Sequence, residues 1–494
     1  MVRPRHYQFL TAAATIAFGL WFLTSRLRVL QIDWGKHSGI DLFDGSLPPV
    51  PNYDPENEAE LYDTDPTEPE SGYQATTTEN ELVKAPSPTS ALEWNSGWDD
   101  QEPWPEWSQT TTTTSSESPQ PTTHVSQEEL EKYLHAILDY KDTSFEQVPC
   151  PVNIGNRYKE LQATASGNGQ IRYFFALDLY QSAAIIPRLF SSIIEAIRFL
   201  GPEHCAISIV EGRSEDGTYE ILAALKSRVE VMGAHVFLST STINPLNGKL
   251  NRIEALSKLR NKALDPLKAQ GPSGLMPELA DMYSPEAVII FINDIALCPE
   301  DILELVFQHV NQEAHMTCAF DWIFNGTLFY DSWVSRSLVG NTFFEVPHDG
   351  SWDYSKDMFF DDPESKSRYE AFQPVQVYSC WGGMVTLDAV SFAEDTIKFR
   401  SSEEGECYMG EPTLLGKDLY RLKLGKILAI PSVNVAYSDK EAVGTKYVRG
   451  HVSDHVNVTM SVMHKEEKVK WKVAPPGMVK CLPNFNQPSW SESI

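Results

Sequence analysis

Residues 285–305 read PEAVIIFINDIALCPEDILEL, and this stretch decides the fold class of the chain. Its apolar run at 287–292 is rich in β-branched residues and has the length of a fully buried strand. The strand ends at Asn293-Asp294, and a helix is predicted to begin near Pro299. A buried strand followed directly by a helix is the repeating unit of an α/β protein with a largely parallel sheet.

The same alternation of strand and helix patterns continues on both sides of that stretch. Strands are predicted over 171–178, 206–211, 229–238 and 316–320, and helices over 182–200, 219–228 and 251–267. In open α/β sheets, ligands bind beyond the carboxyl ends of the strands, so we expect the functional residues at those ends. The acidic residues there are Asp178, Glu211 with Asp216, Asp294 and Asp321.

Asp294 is the candidate metal ligand because it follows the apolar strand of the opening stretch. Where a protein binds a diphosphate, carboxylates at a strand end commonly hold Mg²⁺ or Mn²⁺, since both ions prefer oxygen ligands. The alternative is that Asp294 only caps the turn that follows. The residue by itself favours neither interpretation.

The loop at 211–218, EGRSEDGT, places Glu211 at a strand end and Asp216 at a helix start, with Ser214 between them. This arrangement can hold the ribose or the base of a nucleotide. Capping of exposed backbone N–H groups by Asp216 is the commoner explanation of such a turn. Nucleotide binding and helix capping therefore both remain open for these three residues.

The predicted helix at 251–267 is basic and contains Arg252, Arg260 and Asn261. Residues eight positions apart lie within about 80° of each other on a helix, so the two arginines share a face. Guanidinium groups bind phosphate in bidentate fashion, which makes this face a candidate diphosphate site. A solvated charged face is the alternative.

Two later segments, FYDSWVSR at 329–336 and VYSCWGG at 377–383, combine aromatic side chains with polar groups and glycines. Sugars stack on aromatic rings, so Asp331, Tyr378 and Trp381 are candidates for binding a carbohydrate, although aromatic residues at this density usually belong to a core. In GECYMGEPTLL, at 405–415, Glu411 precedes a predicted helix and could act near a reacting carbon. An acid at that position also favours the helix dipole.

The charge of the chain is unevenly distributed. Residues 41–125 contain eighteen Asp or Glu and one Lys, and the whole chain has a formal net charge of −28. An acidic balance of this kind argues against a nucleic-acid partner, since phosphate binding needs clustered Lys and Arg. Residues 25–125 are rich in Pro, Thr and acids without periodicity, which predicts a disordered stem ahead of a globular body at 126–494.

An uncharged stretch at 7–24, YQFLTAAATIAFGLWFLT, has arginines on both sides. As a helix it would span roughly 27 Å, enough for a thin bilayer. A cleaved signal peptide is the alternative, but the run ends in TSRLR rather than in a small-residue cleavage site. We therefore expect a membrane anchor that follows a short tail at 1–6.

Placement of the body in the secretory lumen is favoured by two glycosylation tripeptides, at Asn325 and Asn457. The chain has seven cysteines and no CxxC spacing typical of zinc sites. In an oxidising compartment up to three disulfides can form, with a pairing that the sequence does not determine.

The order and wording of the motifs resemble the fungal α-1,3-mannosyltransferase family typified by the cryptococcal capsule-associated enzymes. The resemblance covers roughly residues 150–460. Several motifs in one order are far more specific than any one of them. They are IVEGRSEDGT, RIEALSKLRNKALDPL, VIIFINDIALCPEDILELV, MTCAFDW, FYDSWVSR, VYSCWGGM and GECYMGEPTLLGKDLYR.

The resemblance implies a GT-A type fold, GDP-mannose as donor, a mannose-containing glycan as acceptor, an α-1,3 linkage formed with retention, and Mn²⁺ or Mg²⁺ as cofactor. It also implies a single-pass type II protein of the Golgi membrane with a lumenal catalytic domain. Its implied site has Asp294 as metal ligand and Asp321 and Glu411 at the reaction centre. The implied donor contacts are Arg260 and the loop at 211–218, which contains Glu211, Ser214 and Asp216.

Two departures from the family pattern bear on these expectations. Asn293-Asp294-Ile295 has one carboxylate where a full DxD metal motif has two, so His451 or His455 is a possible further ligand. Pro412 stands where a cysteine is expected after Glu411, so a local disulfide there is expected to be absent or rearranged. A different nucleotide-sugar donor, or an inactive glycan-binding relative, are the alternative functions.

Overall fold

The structure is a computed structural model that describes residues 125–152, 154–162, 170–246, 251–268, 283–346, 355–460, 466–483 and 487–494. The predicted tail at 1–6, the anchor at 7–24 and the stem up to residue 124 lie outside the described residues. Of the helices within these ranges, none has the length and apolar character that crossing a bilayer requires.

The described part of the chain alternates between helices and strands. Its helices are α1 (Gln127–Leu138), α2 (Ile186–Leu200), α3 (Thr218–Val231), α4 (Arg252–Ala263), α5 (Pro299–Gln312), α6 (Pro363–Glu370), α7 (Ala389–Ala393), α8 (Glu411–Arg421), α9 (Asp439–Arg449) and α10 (Val452–His455). Its strands are β1 (Ile171–Leu179), β2 (Cys205–Glu211), β3 (His235–Thr240), β4 (Tyr283–Ile292), β5 (Met316–Ile323), β6 (Leu328–Phe329), β7 (Arg336–Ser337), β8 (Val375–Ser379), β9 (Met384–Asp388), β10 (Ile427–Val435), β11 (Met478–Cys481) and β12 (Ser489–Glu492).

Ten of the described strands form one sheet in the order β3-β2-β1-β4-β9-β5-β10-β8-β7, with β6 paired to β5. Strands β1 to β5 and β10 all point the same way, whereas β9 lies antiparallel between β4 and β5, and β8 lies antiparallel to β10. The predicted mixed α/β fold with a mostly parallel sheet is confirmed. The antiparallel strands β6, β8 and β9 were not predicted.

The opening stretch forms β4 and α5, and it is buried on both faces of the sheet. Ile290 and Ile292 point into a core that includes Ile193 of α2 and Phe307 of α5. Phe291, between them, points into the opposite core, which is covered by α4, α7 and α8. Because successive strand residues face opposite sides, a strand between two helical layers must be apolar at every position.

One predicted strand began too early. The prediction placed a strand over 229–238, but α3 continues to Val231 and β3 begins at His235. Val229 lies one turn after Leu225 on the buried face of α3, so packing outweighs the strand preference of valine. Gly233, with φ 109°, ends the helix.

Three disulfides connect distant parts of the described chain: Cys150–Cys298, Cys318–Cys380 and Cys407–Cys481. Cys205 is a buried free thiol. The expected upper limit of three disulfides is therefore reached. Cys407 pairs with Cys481 of β11, 74 residues away, so this bond needs no cysteine at position 412.

Candidate functional site

The carboxyl ends of β1, β4 and β5 meet at one edge of the sheet, as predicted. Asp178 lies near the end of β1, Asp294 follows β4 by two residues, and Asp321 lies near the end of β5. The turn at 381–383 joins these ends, because the backbone N–H of Asn293 donates to the carbonyl of Gly383 at 2.9 Å. The acidic strand ends therefore surround one cleft.

Arg260 of α4 is the central cation of this cleft. Its side chain is 7% exposed, and its guanidinium carbon lies 3.7 Å from the ring centre of Trp381. The ring of Phe399 lies 5.7 Å away on another side. Asn261 fixes Phe399 by bonding its backbone carbonyl and N–H at 2.7 and 3.0 Å. The donor-binding role of Asn261 stays a prediction, since its amide contacts the protein backbone.

Arg260 retains hydrogen-bonding capacity. Its Nη1 lies 2.7 Å from Oε1 of Glu411, which begins α8 and is 2% exposed. The oxygen lies out of line with the N–H bonds, however, so Nη1 and Nε are buried without an aligned acceptor among the described residues. Buried guanidinium donors normally have acceptors, and an anionic ligand in the cleft would supply them.

Carboxylates outnumber cations around Arg260. Burial raises the pKa of Asp178 to about 7, with Arg260 opposing the rise and Asp294 and Glu411 adding to it. Burial also raises the pKa of Asp294, whose side chain is open to solvent on its cleft side. Such a concentration of negative charge favours a bound cation in the same cleft.

Asp321 and Asp331 form a pair of carboxylates at the end of β5. Asp321 is fully buried, and its Oδ1 accepts the backbone N–H of Asp331 at 3.1 Å. Its Oδ2 accepts the hydroxyl of Tyr437 at 2.8 Å. Burial, and then the charge of Asp331, raise the pKa of Asp321 well above its usual range. Asp321 therefore holds its proton more tightly than an exposed aspartate does.

Asp331 is held at its other end by the turn after β8. The backbone N–H of Gly382 donates to its Oδ2 at 2.7 Å. Gly382 has φ 61°, and a Cβ at this position would lie 1.9 Å from the carbonyl oxygen of Ala319. Only glycine fits this turn, so the glycine contributes directly to the position of Asp331.

In the loop at 211–218, the acidic side chains form hydrogen bonds with nearby backbone N–H groups. Glu211 accepts the backbone N–H groups of Arg213 and Ser214 at 2.9 and 2.6 Å. Asp216 accepts the N–H of Ala183 at 2.8 Å and caps the start of α3 at Thr218. These bonds favour the capping interpretation. Nucleotide binding by Glu211, Ser214 and Asp216 stays a prediction, in a loop that continues the strand beside β1.

Arg252 begins α4 and is exposed on the same side as the acidic pair. Its charge acts on Tyr330, whose pKa burial and the two neighbouring aspartates raise to about 12 and Arg252 lowers. The ring of Tyr330 lies 5.1 Å from that of Tyr437. The two predicted arginines therefore border one cleft, Arg260 in its floor and Arg252 at its rim.

Tyr378, a candidate for acceptor binding, has the contacts of a core residue. This side chain is fully buried, its hydroxyl donates to the carbonyl of Ser493 at 2.6 Å, and its ring stacks on Tyr420. Trp381 is 2% exposed, its ring lies against Arg260, and its indole N–H donates to Asn293 at 3.2 Å. These contacts favour the core interpretation of dense aromatic residues, and acceptor binding by Tyr378 and Trp381 stays a prediction.

The histidines considered as further metal ligands have other contacts. His455 stacks on Phe372 and bonds the carbonyl of Arg449, and His451 lies 3.8 Å from Glu300. Across the described ranges, no three or more His, Cys, Asp or Glu residues are grouped so that they could hold a metal ion.

Tyr437 was missed from the sequence. It lies two residues after β10, at the same edge of the sheet as Asp178 and Asp294. The strand-end rule identifies it once β10 is recognised as a central parallel strand. The strand-end search considered acidic groups alone, so a tyrosine hydroxyl was not examined.

Comparisons with known proteins show which family this chain belongs to. The family model described as "Cryptococcal mannosyltransferase 1" matches residues 172–418, which contain β1 to β9 and most of α8. A curated relative, alpha-1,3-mannosyltransferase CMT1 from Cryptococcus neoformans var. neoformans serotype D, is 34% identical over 339 residues. The match covers 66% of this chain and 70% of the relative.

Among solved structures the similarity is distant. TarS 1-349 from S. aureus has a TM-score of 0.32 at 13% identity, covering 60% of this chain and 68% of that chain. The mannosyltransferase PcManGT from Pyrobaculum calidifontis, in complex with GDP-Man and Mn2+, has a TM-score of 0.30 at 11% identity. That match covers 62% of this chain and 63% of the other. Because the family model spans half of the chain and the curated relative is matched over more than two thirds of its length, the chain belongs to the cryptococcal mannosyltransferase 1 family.

Proposed function

We propose that the chain transfers mannose from GDP-mannose to a mannose-containing acceptor and forms an α-1,3 linkage with retention of configuration. Membership of the family and the name of the curated relative support the activity. The observation that carries the proposal is Arg260, a nearly buried guanidinium with unaligned donors in a cleft at the carboxyl ends of parallel strands. The sheet is of the kind that a GT-A type domain uses, and we propose that fold type for the body.

In this proposal Arg260 binds the diphosphate of the donor. A diphosphate oxygen in line with Nε or Nη1 would supply the acceptors that the described residues do not. Glu411 holds the guanidinium from the other side and so orients it. Arg252 adds positive charge at the rim, and the loop at 211–218 adjoins the end of β1, where the nucleoside would lie.

The divalent cation proposed for this family fits the cleft as a shared ion. Asp294 is a solvent-accessible carboxylate beside Asp178, and the described residues provide no complete set of protein ligands. Mg²⁺ and similar ions are commonly held by one or two carboxylates together with substrate phosphates. When bound, Mn²⁺ or Mg²⁺ would neutralise charge on the departing diphosphate.

We further propose that the body lies in the lumen of the Golgi and is anchored, as a single-pass type II protein, by residues 7–24. Three disulfides in the described residues support an oxidising compartment. Protease protection in intact vesicles, with an antibody against the C-terminus, tests this orientation. Cleavage of the body without detergent would contradict it.

Activity is tested with the full chain, purified in detergent, and a panel of nucleotide sugars with simple mannosides as acceptors. We expect transfer from GDP-mannose with an α-1,3-linked product, and loss of transfer after chelation of divalent cations. Transfer from another nucleotide sugar would replace the proposed donor. Glycan binding without nucleotide binding, measured by calorimetry, would favour an inactive relative instead.

A further inference from the structure

The pair Asp321 and Asp331 divides two tasks between two carboxylates. We propose that Asp331 is the base that receives the proton of the acceptor hydroxyl, and that Asp321 and Tyr437 are positioning residues that hold it. This inference rests on the proposed transferase activity and deepens it. It differs from the expectation drawn from the sequence, which assigned the catalytic role to Asp321.

The two carboxylates differ in how deeply they are buried. Asp321 is fully buried and both of its oxygens are engaged, one by the N–H of Asp331 and one by the hydroxyl of Tyr437. A side chain in this position cannot touch a substrate without opening the end of β5. One of its two contacts holds Asp331, through the backbone N–H of that residue.

Asp331 has an oxygen left for a ligand. It is partly exposed, and its Oδ2 is fixed by the N–H of Gly382. From the residues that the structure describes, Oδ1 accepts no hydrogen bond. Asp331 also lies within electrostatic reach of Arg260 and Glu411, which places this oxygen beside the proposed diphosphate site.

The charges around the pair favour one ionised carboxylate. Burial raises the pKa of Asp331, while the Gly382 N–H and the Arg260 charge oppose the rise. Two neighbouring buried carboxylates cannot easily ionise together, and Asp321, with the deeper position, is the one that stays protonated. The groups facing the pair from the surrounding elements are Arg260, Glu411, Tyr330, Tyr437 and the backbone of Gly382.

The proposed step is balanced within the substrates and Asp331. The acceptor oxygen forms a bond to the anomeric carbon on the same face from which the phosphate oxygen departs, so the configuration is retained as the bond from that carbon to the phosphate oxygen breaks. The electron pair of the broken bond leaves with the nucleoside diphosphate. The hydroxyl proton passes to Oδ1 of Asp331, which is later deprotonated by solvent.

The test compares substitutions in the full-length chain by their dependence on pH. Wild type should lose kcat/KM as pH falls, because protonated Asp331 cannot accept a proton. In Asp331→Asn, kcat should fall about 100-fold or more and this acid limb should disappear. Asp321→Asn mimics the protonated acid, so it should stay within about fivefold of wild type and keep the acid limb.

Two further variants separate positioning from folding. Asp321→Ala removes the carboxyl group and both of its hydrogen bonds without overfilling the site, and it should lower kcat about 30-fold or more. Tyr437→Phe should lower kcat about three- to tenfold. Asp357→Asn, at an exposed carboxylate paired with Lys366, serves as the control and should leave kcat unchanged.

Loss of the acid limb in Asp321→Asn, or near-normal kcat in folded Asp331→Asn, would overturn the assignment. An inactive wild type would instead contradict the proposed function. The protonation state of Asp321 is tested independently of activity by thermal unfolding at pH 8. There Asp321→Asn should melt at or above the wild-type temperature, and a clearly lower Tm would overturn the positioning role.

Discussion

The guanidinium carbon of Arg260 lies 3.7 Å from the ring centre of Trp381, with both side chains almost completely buried. Burial of a cation requires compensation, which here comes from the ring face and from Glu411. The arginine is thereby presented to the cleft in one fixed orientation. A conservative substitution can separate the contribution of its planar hydrogen-bond donors from that of its charge.

Arg260→Lys should lower kcat/KM for the donor about 10- to 100-fold, because lysine keeps the charge but loses the planar pair of donors. The thermal midpoint should fall by only a few degrees. The matched control is Lys258→Arg, which keeps a positive charge on the exposed face of the same helix. It should change neither kcat/KM nor the thermal midpoint. Equal activity of Arg260→Lys and wild type would argue against diphosphate binding at this residue.

Asp294→Asn should raise the Mn²⁺ concentration that gives half-maximal activity about tenfold or more, because an amide binds the cation more weakly than a carboxylate. The measurement is a metal titration at saturating donor. Asp454→Asn is the control, since that carboxylate caps the backbone of His451 on α10. An unchanged metal titration in Asp294→Asn would remove its role as ligand.

Glu300→Gln should stabilise the fold at alkaline pH. Glu300 is 5% exposed, and burial followed by the charge of Asp301 raises its pKa to about 7, with Lys446 opposing the rise. Between about pH 4.5 and 7 the folded chain binds this proton more tightly than the unfolded chain, so the free energy of unfolding falls as pH rises through that window.

The glutamine variant lacks this titration, so its advantage should be absent at pH 4.5 and reach about 1–3 kcal/mol above pH 8. Chemical denaturation at the two pH values measures it. Glu286→Gln, at an exposed glutamate of β4, should show no such difference. A pH-independent effect of Glu300→Gln would contradict the buried, protonated state.

The double variant Cys407→Ser with Cys481→Ser should lose about 2–4 kcal/mol of stability, because the bond closes a long loop. It should also lower kcat, since Cys407 precedes Glu411 and Cys481 lies in the hairpin that supports the site. There Arg336 donates to the carbonyl of Lys480 at 2.8 Å. Cys205→Ala, which removes an unpaired thiol, should keep kcat at the wild-type value.

Much of the architecture followed from periodicity, because parallel strands buried on both faces are apolar throughout and end in polar residues. The end of β4 at Asn293-Asp294 and the start of α5 at Pro299 were predicted correctly for this reason. The antiparallel position of β9 between β4 and β5 could not be predicted, since pairing partners depend on long-range packing.

The site was predicted less completely than the fold. Arg260 and Glu411 were both named, but their ion pair joins residues 151 positions apart and leaves no local pattern. For Tyr378 the sequence left a core position and a sugar site both open, because the same aromatic residue type occurs in both. The division between Asp321 and Asp331 depends on depth below the surface, which their spacing of ten residues does not encode.

The disulfide Cys318–Cys380 has a practical consequence for producing the protein. Cys318 precedes Asp321 by three residues, and Cys380 directly precedes Trp381 and Gly382. This one covalent bond therefore fixes the backbone segments that position Arg260 and the pair Asp321 and Asp331. Expression in a reducing bacterial cytosol would yield chains whose sheet can form while this disulfide is still absent. Soluble material from such a host should therefore be judged by its thiol count before its catalytic competence is measured.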